Sequence, residues 1–227
     1  GSVTFNVAAG TYTEGPVVIP PISGASATSP INFAGPASGT AVITFDTVLT
    51  KMGFDLVGAD YFVFSNLTFA RPATFTGTGA TQQFSMRLRL DADFNTITNC
   101  TFLADTVTGT TSTFNRLLQI NSSSNNLVTG CTFRNGNNQL DLLGLPFAFG
   151  LSNGNKIASN KFVRVNNASF ITVSNQKDLE LNNKEFNTIL TSTTAFAGTF
   201  SKIVNSKILG NFVTGDLGAG GFSFSEF

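Results

Sequence analysis

A chain of 227 residues is long enough to bury a sizeable core, and nothing in its length demands a second domain. Thirteen Lys and Arg offset thirteen Asp and Glu, so no basic stripe exists to release counterions from a nucleic acid, and 41% apolar content at zero net charge excludes a disordered chain. There is no His, which removes every His-dependent mechanism, and no apolar run of the length that a membrane-crossing helix requires.

The chain opens in the alternation Val3-Thr4-Phe5-Asn6-Val7, which reads as a strand and not as a signal peptide, so a mature or excised form is expected. Residues 1–50 are expected to form an N-terminal coil or cap. Over 51–212 no helical stripe develops, because Gly, Asn, Thr and Ser interrupt every window. Instead six segments align without gaps: 61–69, 94–102, 125–133, 154–162, 178–186 and 201–208.

Each segment closes on an apolar anchor: Phe69, Phe102, Phe133, Phe162, Phe186 and Ile208. Five residues earlier stand Phe64, Ile97, Val128, Ile157, Leu181 and Ile203. Three before the anchor come Asn66, Asn99, Gly130, Ser159, Asn183 and Asn205, a column rich in residues that tolerate left-handed backbone and so predicted to be a sharp bend. A further strand is predicted ahead of most segments, at 53–57, 86–90, 116–120, 147–151 and 170–173, with loop excursions at 76–83 and 105–113. Anchor spacing shortens from 33 residues between Phe69 and Phe102 to 24 between Phe162 and Phe186. Units of this size cannot bury their apolar side alone. Stacked coils can, with Phe on Phe as an internal ladder. The fold expected is therefore all-β, a single right-handed parallel β-helix, closing on a C-terminal strand over 213–227.

These columns resemble the parallel β-helix repeat of the pectin-lyase-like superfamily. The segment over 5–36, with its Ala-Gly-Thr-Tyr stretch, resembles the first coil of secreted and surface-anchored β-helix proteins of the Bacteroidota. The resemblance implies a fold more than an activity, since such solenoids serve lyases, hydrolases, adhesins and stalks.

Chemistry-bearing clusters are few. Asp91 and Asp93 share a predicted strand face near Arg87 and Arg89, the pattern that a lyase or glycosidase would use; as a charge row it would simply keep the face soluble. No metal site or cofactor is expected, since two Cys are too few for structural zinc and no calcium or phosphate loop is present. Cys100 and Cys131 fall in one column of adjacent coils, as stacked free thiols or a disulfide across an oxidising exterior. Glycan binding would draw on Tyr12 and Tyr61.

The tail alternates as Phe222-Ser223-Phe224-Ser225-Glu226-Phe227, with no capping helix at either end. Phe222, Phe224 and Phe227 are expected to dock as a strand on the solenoid or on a neighbour. The expectation is a non-catalytic extracellular protein, a self-associating filament subunit or adhesin segment, with the chain itself as principal partner and a carbohydrate-active or glycan-binding solenoid as the alternative.

Overall fold

A computed structural model of the chain describes residues 1–45, 52–70, 83–104, 115–136, 138–144, 151–164, 171–183, 185–188, 198–209, 213–214 and 222–225. The expected excursion at 105–113, that at 76–83 apart from Gln83, which opens the strand Gln83–Arg89, and Phe227 lie outside the described residues. Three parallel sheets run the length of the molecule, and no helix occurs among the described residues. The first sheet has eight strands, from Val3–Asn6 to Lys207–Ile208. The second has eight, from Gly10–Glu14 to Val213–Thr214. The third has nine on its main path or beside it by way of Ser152–Asn153, and runs from Val17–Ile19 to Phe222–Ser225. Every coil contributes one strand to each sheet in turn. This is a right-handed parallel β-helix.

The interior is built from register. Phe69, Phe102, Phe133 and Phe162 stand directly over one another in the second sheet. Their rings stack at 5.1, 5.0 and 4.8 Å between centroids, and all four are fully buried. Rings at that separation lie in offset-stacking range, so each Phe adds pair attraction to its burial. Phe186 continues the column by backbone register. In the first sheet Phe5, Phe33, Phe64, Ile97, Val128, Ile157 and Leu181 form the facing column.

Asn66, Asn99, Gly130 and Ser159 hold φ of 55°, 52°, 65° and 59°, which turns the chain from the first sheet into the second at a single residue. At Gly130 a Cβ would also come 2.4 Å from Asn99 Oδ1, the mobile end of a side chain, so here glycine serves φ more than space. Asn183, expected in the same bend, is buried, and its Oδ1 accepts from both the backbone N–H and the side-chain amide of Asn160.

The last repeat is out of register with the sequence alignment. Ile208 pairs with Leu181 in the first sheet, Val213 takes the place opposite Phe186, and Ile203 pairs with Gln176 in the third sheet. Asn205 is not in the bend column. It is left-handed at φ 48° at the corner between the third and first sheets, and its amide bonds the Asp178 carboxylate. Four successive coils have left-handed residues at both this corner (Tyr61, Phe94, Asn125, Gly154) and the bend (Asn66, Asn99, Gly130, Ser159), and both stations suit Asn or Gly, so a short segment fits either. The strand expected at 147–151 lies, apart from Leu151, outside the described residues; Asn138–Leu143 of the same coil pairs with Asn115–Asn121 and Ile171–Lys177 in the third sheet. The expected N-terminal coil holds regular strands throughout, Val3–Asn6 to Ala41–Phe45, all paired onward along the axis. Phe222–Ser225 docks on the solenoid itself, against Gly198–Val204.

Candidate functional site

Two features stand apart from the regular packing: a charged face on the third sheet and an open end at the first coil. The face arises where the third sheet bends. Its ladder passes over Gly53, Ser85, Leu117 and Gln139, and after that break successive residues alternate between core and exterior. Leu56, Leu88, Ile120 and Leu142 point into the core, while Asp55, Arg87, Gln119 and Asp141 form one column on the outside.

Asp55 is 1% exposed and receives both neighbouring arginines. Arg87 donates from Nε and Nη2 at 3.0 Å each, a fork on to the two carboxylate oxygens. Arg89 donates from Nε at 3.1 and 3.2 Å and from Nη2 at 3.0 Å. Burial alone would push the Asp55 carboxyl up, but the hydrogen bonds and charges of Arg87 and Arg89 outweigh it and hold the group below its ordinary value. One coil further, Arg116 pairs with the buried Asp141. The guanidinium groups of Arg87 and Arg116 lie 5.4 and 5.8 Å from the ring centre of Phe84, a buried aromatic outside the core cluster.

Arg87 and Arg89 were expected beside Asp91 and Asp93. The strand stops at Arg89, because Leu90 and Asp91 turn left-handed at φ 54° and 61°. Asp91 is exposed in that corner. Asp93 is built into the next turn: Asp60 Oδ1 accepts its N–H at 2.7 Å, and its own Oδ1 accepts the Ser124 N–H at 2.6 Å. Burial pushes the Asp93 carboxyl above its ordinary value, aided by the charges of Asp60 and Asp91 and opposed by the Ser124 N–H. The partner that sequence reading missed is Asp55. Among the described residues no group of three His, Cys, Asp or Glu is arranged to hold a metal ion.

Cys100 and Cys131 are buried free thiols stacked in successive coils. Cys100 donates to the Phe64 and Thr98 carbonyls, and Cys131 to those of Ile97 and Thr129. Contact with Cys100, together with burial, holds the Cys131 thiol well above its ordinary value, so it stays protonated. Tyr61 stacks on Phe94 at 5.1 Å on the outer corner, both at positive φ, and the Tyr12 hydroxyl donates to the Ala8 carbonyl.

At the first coil, Val3–Asn6, Gly10–Glu14 and Val17–Ile19 each pair on one side only. They surround a cavity of about 630 Å³ whose lining includes Phe5, Tyr12, Val17, Phe33 and Phe54. Val3 and Phe5 are 49% and 51% exposed there, in contrast to the sealed Phe column further along.

Fold and site together define a parallel β-helix with a charged outer face and, among the described residues, an apolar mouth at the first coil. No protein-family model and no curated protein matches the chain. Among solved structures, a variant of the PL6 family alginate lyase AlyGC is similar over 92% of this chain and 37% of its own, at 11% sequence identity and a TM-score of 0.39. The chain thus spans little more than a third of that lyase's length. The expectation that the protein is not an enzyme is corrected here, because the similar solenoid is a lyase and the architecture excludes no catalytic role. A likeness at that score assigns no activity either.

Proposed function

We propose that the chain is a stacking unit, in which the open first coil of one copy is closed by the last coil of another and molecules join end to end. The observation that carries this reading is the apolar mouth, where three sheets end at the same coil around a cavity of about 630 Å³. An unpaired parallel edge is completed by another parallel strand, and an apolar interior by another apolar rung. Such a head-to-tail contact does not close on itself and builds a fibre. An extracellular setting, as a filament subunit or adhesin segment, completes the reading. It rests on the resemblance of residues 5–36 to surface β-helix proteins of the Bacteroidota.

Sedimentation velocity with negative-stain electron microscopy tests the contact. The wild-type chain is expected to polymerise with rising concentration, and Phe5→Lys, which puts a charge in the mouth, to stay a particle of 23.9 kDa. A wild-type chain that remains monomeric at every concentration overturns the proposal.

A further inference from the structure

The charged face holds more donors than it uses. Among the described residues three guanidinium groups, of Arg87, Arg89 and Arg116, face two carboxylates, of Asp55 and Asp141, an excess of one positive charge in the cluster. Arg87 and Arg89 spend Nε and Nη2 on Asp55, and no hydrogen bond from either Nη1 occurs among the described residues. Arg116 Nε is buried with no hydrogen-bond partner. Gln119, only 2% exposed, stands in register between Arg87 and Asp141, and no hydrogen bond to its amide occurs among the described residues.

Buried donors without acceptors are rare, because each forfeits about 1–3 kcal/mol of hydration. Arg116 Nε is such a donor, in a patch whose arginine side chains keep 20%, 31% and 18% of their surface open to solvent. The two arginines clamped on Asp55 are already ordered, so a ligand need not freeze them. A guanidinium edge matches a planar carboxylate with two parallel hydrogen bonds, a match that a spherical anion cannot make.

We propose that the outer face of the third sheet, at Arg87, Arg89, Arg116 and Gln119, is a binding site for one carboxylate group of a ligand. Asp55 and Asp141 are its positioning residues, holding the guanidinium groups edge-outward. Phe84, buried beneath two of the arginines, supports their guanidinium groups from below. The site lies on the side of the solenoid and does not depend on end-to-end stacking.

The same chemistry occurs on a free small acid and on an acidic sugar, and a titration separates them. Arginine Nε–Hε resonances of the ¹⁵N-labelled chain would be followed against sodium acetate, sodium glucuronate, glucose and sodium chloride at constant ionic strength. Saturable shifts of the Arg87, Arg89 and Arg116 signals with acetate and glucuronate, and none with glucose or chloride, are expected. Equal affinities would mark a site for the carboxylate alone, and tighter glucuronate binding a site for an acidic sugar. Arg87→Gln, which removes one charge and keeps an amide, should weaken binding about tenfold, the equivalent of about 1.4 kcal/mol. Absence of saturable shifts with either carboxylate, or equal shifts with chloride, overturns the proposal on the wild-type chain whatever the variant does.

Discussion

Asn155 accepts the Asn126 N–H at 3.0 Å and donates to the Ser123 carbonyl and to Gln176 at 2.9 Å each. Asn126 accepts the Asn95 N–H at 2.9 Å, but its own Nδ2 has no partner. All three asparagines are 1% exposed, and they form a ladder inside the corner between the third and first sheets. Removing either side chain strands a buried N–H, at about 1–3 kcal/mol. Asn155→Ala should cost more than Asn126→Ala, because it also orphans two acceptors; urea unfolding of the pair would show the order. Phe133→Ala, within the ring ladder, should cost about 3–5 kcal/mol by the same measurement.

Two carboxylates at this scale respond to pH with opposite sign. Asp55, held below its ordinary value, stabilises the fold above the ordinary Asp range, and that contribution is lost as pH falls through the folded-state value. Asp93, pushed up, destabilises once it ionises, so stability declines as pH rises through its folded-state value. Asp93→Asn keeps an acceptor for the Ser124 N–H and removes the charge. Its melting temperature should exceed the wild type's at neutral pH, with the difference closing below the ordinary Asp value of about 3.9. A variant melting below wild type at neutral pH would contradict this.

At the scale of strands and corners, what the sequence discloses depends on how constant the distances are. Bend and anchor are three residues apart in each of the first four aligned coils, so Phe69, Phe102, Phe133 and Phe162 could be read directly. The asparagine ladder was equally open to reading, since Asn95, Asn126 and Asn155 stand seven residues before three successive anchors. The charged face was not legible. Asp55 lies in the coil before Arg87, across residues 71–82, and only register brings the two together. The last coil was misread because a left-handed Asn at the corner resembles one at the bend. A one-residue insertion between Asn99 and Phe102 should therefore rotate the anchor out of the core and unfold the chain at room temperature, as circular dichroism would report.

Across the whole molecule, each coil rests only on its two neighbours, so stability accumulates coil by coil and the ends are its weakest part. Deleting 220–227 removes the outermost strand, Phe222–Ser225. If this edge meets the next copy, the truncated chain should sediment as a soluble monomer where the full chain polymerises, and unchanged assembly would exclude this strand from the contact.

The change in coil length, 33 residues to 24, is taken up away from the bend between the first and second sheets, which stays at one residue: the long connections run from Ala70 to Gln83 and from Leu103 to Asn115 between the second and third sheets, and from Leu143 to Lys156 between the third and first. Register is thus counted strictly at one turn of the triangle and left free at the other two. A lineage carrying this solenoid can lengthen or shorten those connections without disturbing a single rung, much as a printed margin takes notes that leave the lines of text unmoved.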